Sequence, residues 1–148
     1  MFSIININHL SNLKITFYDE ESWLVKSTSS FLIPSIYGAS RGNYIQAGLN
    51  TICFIVSINF WYYPVRGLRR NIDLYFQPIF GTYMYILGNF IASDPRAVPI
   101  GNVCFLNGLY LYYRSCKEYR HHNRFWYIYH VLFHLSMSSA CMAVQMSI

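Results

Sequence analysis

The stretch FWYIYHVLFHLSMSSACMAVQM, residues 125–146, determines how the rest of the chain is interpreted. It contains no Asp, Glu, Lys or Arg, and a helix of this length is long enough to cross the hydrocarbon core of a bilayer. It also contains two histidines one helical turn apart, His130 and His134. Because ionisable side chains are costly in hydrocarbon, an imidazole pair at this spacing indicates a functional site.

The composition of the 148-residue chain is typical of a membrane protein. Apolar residues make up 54% of it and charged residues 11%, whereas charged residues are about a quarter of a typical soluble protein. Aromatic residues account for 19% and often fall near the ends of apolar runs, as in Trp61, Tyr62 and Tyr63. Such rings favour the level of the lipid headgroups. The sequence therefore predicts an integral membrane protein.

Four runs are long and apolar enough to be interpreted as transmembrane helices. They predict an all-α fold, a polytopic transmembrane helix bundle. The predicted transmembrane domain covers residues 43–146, with spans at about residues 43–62, 72–92, 98–113 and 125–146. The third span is the shortest of the four and begins near Pro99.

Residues 1–42 are expected to form a polar or interfacial segment that precedes the first span. Within it, residues 30–38 are apolar but too few to cross a bilayer and are interrupted by Pro34, so they predict a short half-helix. The alternative is a fifth span over about residues 23–38, in which the Lys26 ammonium snorkels to the interface.

Basic residues are concentrated in two of the predicted loops, residues 63–71 and residues 114–124. In a four-span serpentine both loops face the same side, which the positive-inside rule makes the cytosolic side, with the C-terminus on the opposite side. In the first loop, Arg66, Arg69 and Arg70 are placed to contact anionic lipid headgroups. Because topology explains the net charge of +5, the sequence gives no support for nucleic-acid binding.

Depth along the helices predicts a layer of polar side chains near the cytosolic side. At the helical rise of about 1.5 Å per residue, His130 and His134 lie roughly 8 and 14 Å in from the preceding basic loop. Polar residues from the first two spans lie at a comparable depth. The predicted layer consists of Ser57, Asp73, Gln77, His130, His134 and Ser138.

Two imidazoles four residues apart on a helix are a common part of zinc sites. A carboxylate from another helix can complete a three-ligand set with an open position for water, which makes His130, His134 and Asp73 the candidate metal ligands. Asp73 is alternatively the base that takes a proton from that water, and Ser57 either positions the water or holds Asp73 in place. His121 and His122 in the second basic loop are remote candidates for a third ligand.

The spacing of Ser57, Asp73 and the His130–His134 pair resembles the CREST superfamily of membrane hydrolases, which includes alkaline ceramidases and the progestin and adipoQ receptors. The resemblance implies a zinc-dependent hydrolase of a lipid amide or ester, with Ser57 and Asp73 catalytic and the histidines on zinc. The chain departs from the family pattern in two respects. Trp61 stands where the family has its first histidine, and the family has seven spans.

Residues 59–73 also resemble a recurring pattern in short membrane proteins of large DNA viruses and their protist hosts, which have a tryptophan at this position too. This favours a second hypothesis, a non-catalytic membrane protein such as a viral envelope component, a supernumerary subunit of a larger membrane complex or a homo-oligomer. In that case the histidines bond hydroxyl or carbonyl groups of neighbouring helices. Asp73 then pairs with Arg69 or Arg70 at the interface.

Overall fold

The computed structural model describes residues 20–148, and the regular secondary structure of this part is entirely helical, so the predicted all-α class is confirmed for these residues. Residues 1–19, which include much of the predicted polar segment, lie outside the described part. A 3₁₀ turn, Ser29–Phe31, joins the first two helices. The helices are α1 (Glu21–Thr28), α2 (Leu32–Ser40), α3 (Tyr44–Trp61), α4 (Leu68–Phe90), α5 (Ala97–Arg120) and α6 (Trp126–Ser147).

Helix α6 is the central element of the bundle, because α1, α2, α4 and α5 all pack against it. Glycines on three of these helices face α6 and allow close contact. At Gly88, a Cβ atom would lie 2.8 Å from Val144 Cγ2, and at Gly108 it would lie 2.6 Å from Met137 Sδ. Small residues at helix contacts are typical of helix packing in membranes.

The N-terminal helices form one rod that is longer than the predicted half-helix. The backbone stays in the right-handed helical region at Thr28 and Leu32, on either side of the 3₁₀ turn. The rod runs parallel to α6. Contacts between the rod and α6 keep nearly the same spacing along both chains. They run from Glu20 with Trp126, through Ser27 with His134, to Gly38 with the Gln145 side chain. The segment therefore extends along nearly the whole length of α6.

The remaining helices alternate in direction around α6. Contacts between α3 and α4 include Ser57 with Asp73, and contacts between α5 and α6 include Ser115 with His130. Since neighbouring helices are antiparallel, the turns at residues 62–67 and 121–125 lie at one end of the bundle. The turns at residues 41–43 and 91–96 lie at the other end, where the Ser93 backbone N–H donates to the Ser147 carbonyl at 2.8 Å.

Two helices extend beyond the predicted spans into the loop at the basic end. Gly67, the residue before α4, has φ +143°, a backbone conformation that favours glycine. The chain therefore turns at Gly67, and the helix begins at Leu68. Helix α5 continues to Arg120, and Arg114 and Glu118 form an ion pair of 3.0 Å along its last turns. Hydrogen bonds from the Asn123 amide and from Arg114 lower the pKa of the Glu118 carboxyl. Much of the predicted loop at residues 114–124 is therefore helical.

Candidate functional site

His130 and His134 form a buried pair on the inner face of α6. His134 is 2% exposed and His130 is 8% exposed. Their ring centroids are 4.8 Å apart, and the ring planes are nearly perpendicular, at 86°. Helical spacing thus brings both imidazoles to one side of the helix, in the polar layer that the sequence predicts.

Each imidazole is bound at Nδ1 by a serine of a neighbouring helix. The Ser27 hydroxyl of α1 lies 2.7 Å from His134 Nδ1 and donates to the Leu24 carbonyl at 2.8 Å. When the Ser27 proton is used in this way, the His134 tautomer that completes the contact is the one with its proton on Nδ1 and a lone pair on Nε2. The Ser115 hydroxyl of α5 lies 3.2 Å from His130 Nδ1. Both rings are therefore fixed in orientation by hydrogen bonds from outside α6.

Trp61 fills the space beside the two imidazoles. Its ring centroid lies 4.8 Å from that of His130, edge-on, and 6.5 Å from that of His134. The indole is buried, and its Nε1–H has no hydrogen-bond partner within residues 20–148. An indole is a hydrogen-bond donor only, so Trp61 cannot replace the first histidine of the CREST pattern as a metal ligand.

The predicted residues of α3 and α4 form a second polar cluster. The Ser57 hydroxyl donates to Asp73 Oδ1 at 2.9 Å, and Gln77 Nε2 donates to Ser57 Oγ at 2.6 Å and to Asp73 Oδ1 at 3.2 Å. The Cys53 thiol donates to Gln77 Oε1 at 3.2 Å. Helical spacing explains why Asp73 and Gln77 meet Ser57 together, since they are one turn apart on α4.

The two polar clusters lie in the same layer of the bundle, but their side chains do not come together as ligands of one metal ion. Within the described residues, Asp73 makes no ion pair with His130 or His134, and no group of three or more His, Cys, Asp or Glu side chains is placed to hold a metal ion. The imidazoles supply two ligands with suitable chemistry for zinc, and the Asp73 carboxylate accepts from Ser57 and Gln77 instead. The residues present therefore fit zinc only in part.

Ser138, the last member of the predicted layer, has a packing role that the sequence analysis did not predict. Its hydroxyl donates to the Ser30 carbonyl at 2.6 Å. In a continuous helix that carbonyl would accept from residue 34, but Pro34 has no N–H. The Ser30 carbonyl also accepts from the Leu32 N–H. Ser138 therefore adds a donor where the proline supplies none, and so fastens the N-terminal rod to α6.

The sequence analysis also missed Ser27 and Ser115, the partners of the two imidazoles. Ser27 lies outside the four predicted spans, and Ser115 lies in what was predicted to be a loop. For Ser27, the signal available in the sequence was the run of four hydroxyl residues at positions 27–30. No local pattern distinguishes Ser115 from the other residues around it.

An apolar cleft lies between α4, α5 and α6, away from the imidazoles. The space between these helices amounts to about 530 Å³ when the solvent-open volume at its mouth is counted. Glycines and alanines form part of its wall, and a reciprocal amide pair lies along it, with Asn89 donating to Asn102 at 3.0 Å and Asn102 donating back at 2.8 Å. The cleft reaches Gln77, so it adjoins the second polar cluster.

Comparisons with known proteins give no relative of this chain. No family model, no curated protein and no solved structure matches it. The choice between the catalytic and the packing hypotheses therefore depends on the contacts of the polar side chains themselves.

The hydrogen bond between Ser27 and His134 has a measurable consequence. We expect Ser27→Ala to lower the free energy of unfolding by about 1 kcal/mol, because it leaves the buried Nδ1 without a partner. The measurement is equilibrium unfolding in mixed detergent micelles. Ser29→Ala is the matched control, since Ser29 lies in the same rod but is exposed. Equal destabilisation by the two changes would contradict the assigned bond.

Proposed function

We propose that the chain is a small integral membrane protein that crosses the bilayer several times. The observation that carries this proposal is the distribution of side chains. Buried positions hold polar groups such as His134 and Gln145, whereas large apolar side chains face outward, with Ile45 72% exposed and Ile79 69% exposed. This arrangement is costly in water, where exposed apolar patches of this extent are rare, and it suits a lipid environment.

Helix α6 supports the same proposal by its composition. By length and apolar composition alone, α6 is the one helix within the described residues that could cross a membrane. The other long helices do not meet both criteria. They carry polar residues, among them Asn50 and Ser57 of α3 and Asp73 of α4. These side chains are buried in the bundle, so they do not count against contact with lipid on the outer face.

The direction of the N-terminal rod favours five crossings over the four expected from sequence. The rod runs parallel to α6 from Glu20 to Gly38, in register from Trp126 to Gln145. If α6 crosses the bilayer, residues 21–40 pass through the same depth. Five alternating crossings place both basic turns on the same side as residue 20, and the positive-inside rule makes that side cytosolic.

Within this membrane protein, the polar layer best fits a packing role, so we favour a non-catalytic function as a structural component or as a subunit of a larger membrane complex. Ser27 and Ser115 bind the imidazoles, Ser57 and Gln77 bind Asp73, and every one of these bonds links side chains of the protein. Hydrogen bonds of this kind hold helices together in membranes. A viral envelope component is one protein of this class.

The CREST-like zinc hydrolase is the second candidate, and one observation favours it. Both imidazoles are hydrogen-bonded at Nδ1, and metal-bound histidines are usually oriented by a hydrogen bond at the ring nitrogen that does not bind the metal. In this candidate His130 and His134 hold zinc, which supplies an activated water for hydrolysis of a lipid amide or ester. Ser57 and Asp73 would then orient the substrate or accept a proton.

The exposed arginines at the basic end suit contact with lipid headgroups. Arg66 and Arg69 are exposed, and Arg70 is partly exposed, all within or next to the turn that precedes α4. Anionic headgroups attract such residues by about 1 kcal/mol each. We therefore propose membrane lipids as the surrounding partner of the bundle.

Membrane crossing by the N-terminal rod is tested by cysteine labelling in sealed vesicles. On a background in which the four native cysteines are replaced, we expect Ser22→Cys and Ser40→Cys to react with an impermeant maleimide from opposite faces. Arg66→Cys should match the first, and Asp94→Cys should match the second, because the turns alternate between the two ends. Labelling of positions 22 and 40 from the same face would contradict five crossings.

Zinc content separates the two candidate functions. For the packing role we expect less than stoichiometric zinc in the purified protein and no change on His130→Ala or His134→Ala, because zinc needs at least three protein ligands in a catalytic site. The measurement is zinc per chain by mass spectrometry, with His121→Ala as a control outside the layer. Near-stoichiometric zinc that either layer substitution abolishes, and the control does not, would establish the hydrolase candidate instead.

A further inference from the structure

Asn107 of α5 departs from the inward placement of polar side chains, because it lies on the outer surface of the bundle. Its amide Nδ2 donates to the Ser136 hydroxyl of α6 at 3.0 Å. Ser136 lies ten residues after Trp126 and eleven before Ser147, the first and last residues of α6, so it is about 15 Å from either end of that helix. The Asn107 amide is therefore exposed midway along the helix that has the strongest membrane character.

The Asn107 carboxamide has hydrogen-bonding capacity that the described residues do not use. A carboxamide has two amide protons to donate and a carbonyl oxygen that accepts. The contact with Ser136 uses one amide proton, whereas the second amide proton and Oδ1 have no partner within residues 20–148. Hydrocarbon offers no partner for such groups. In the bilayer proposed above, this amide is satisfied only by a polar group that lies against the outer face of α5.

Asn107 belongs to a stripe of exposed side chains along α5. The members of this α5 stripe are separated by three, four and three residues, and they are Ile100, Val103, Asn107 and Tyr110. This spacing matches the a and d positions of a heptad, at which the helices of a coiled coil meet. The stripe is therefore a helix-packing surface that no helix within the described residues covers.

Another face of α5 is held closely against α6. At Gly101 a Cβ atom would lie 3.5 Å from Ala143 Cβ, and at Gly108 it would lie 2.6 Å from Met137 Sδ. Both glycines are buried, and small residues of this kind let two helices approach closely. Because these contacts fix α5 against α6, the α5 stripe has a defined position on the outside of the bundle.

A second copy of this chain is the partner that fits the α5 stripe. Two copies with the same topology are related by a two-fold axis along the membrane normal, so their α5 helices run parallel and each residue meets its counterpart at the same depth. A carboxamide is complementary to itself, because it both donates and accepts. The chain already contains such a pair, since Asn89 donates to Asn102 at 3.0 Å and Asn102 donates back at 2.8 Å.

We infer that the chain forms a parallel homodimer through the α5 stripe, in which the Asn107 carboxamides of the two copies hydrogen-bond each other across the two-fold axis. Val103 and Tyr110 pack one turn away on either side of this pair. A single asparagine in the seam of a parallel helix pair specifies its register and the number of helices. The inference rests on the membrane crossing proposed above and names a partner for the structural role, and it requires neither zinc nor hydrolysis.

The first test is disulfide cross-linking in liposomes, on the background without native cysteines and with a membrane-permeant oxidant. We expect Val103→Cys to give cross-linked dimers, because position 103 lies one turn from Asn107 on the stripe. Ile79→Cys is the matched control, since Ile79 lies at the midpoint of α4 and is 69% exposed, against 67% for Val103. Equal cross-linking at positions 79 and 103, or none at position 103, would overturn the interface.

Three variants separate the pairing of Asn107 between copies from its bond to Ser136. The measurement is energy transfer between donor-labelled and acceptor-labelled chains as the lipid-to-protein ratio is raised. We expect Asn107→Leu to weaken the dimer roughly tenfold, because a hydrogen bond between membrane helices is lost, and Asn107→Gln to retain most of the affinity. Ser136→Ala should leave the dimer at least as stable, because it removes only the partner of Asn107 within the same chain.

The same measurement contains the outcomes that would overturn the role of Asn107. One is a dimer that Asn107→Leu leaves unchanged. Another is a dimer that Ser136→Ala weakens as strongly as Asn107→Leu does, since the amide would then act within one chain. A chain that stays monomeric at every lipid ratio would overturn the homodimer itself and leave the stripe to lipid or to a different protein.

Topology mapping separates this inference from the proposed function. On the same background, Asp94→Cys and His121→Cys lie in the turns at the two ends of α5. If they react with an impermeant maleimide from opposite faces and position 103 does not cross-link, the dimer fails and the membrane protein stands. If they react from the same face, α5 does not cross the bilayer, and the crossing and the dimer fail together.

Discussion

In the membrane environment that we propose, a polar group must find its partner inside the protein, and this constraint accounts for the arrangement around α6. The helix brings imidazoles and hydroxyls into the interior, and the surrounding helices supply groups that match them. Ser27 and Ser115 bind His134 and His130, and Ser138 in turn satisfies the Ser30 carbonyl. The same bonds that satisfy these groups also fix the positions of α1, α2 and α5 against the central helix.

The sequence predicted the parts of this arrangement that depend on helical periodicity. The pairing of His130 with His134, and the meeting of Ser57 with Asp73, follow from spacing and depth along the helices. The parallel packing of the N-terminal rod on α6 did not follow, because it joins Ser27 to a histidine 107 residues away. Pro34 suggested a break, yet the Ser138 hydroxyl supplies what the missing N–H cannot. Only tertiary contact reveals that compensation.

Trp61 is the residue on which the two functional hypotheses differ most. The CREST resemblance implies a histidine metal ligand at this position, whereas the Trp61 indole packs edge-on against His130 and its N–H has no partner within residues 20–148. The same layout of spans and polar residues therefore permits a chemical site or a helix contact, depending on one side chain. Because Ser57 and Gln77 hold the Asp73 carboxylate, the contacts favour the packing role over the metal site.

The central claim is that the outer surface of the bundle faces lipid and its polar groups face inward. The most direct test is spin labelling of Ile45→Cys and Ile79→Cys in liposomes, on the cysteine-free background, with collision rates measured for oxygen and for a water-soluble nickel chelate. The account predicts strong relaxation by oxygen and almost none by the chelate, because oxygen concentrates in hydrocarbon and the chelate is excluded from it. Strong relaxation by the chelate at both positions would contradict it.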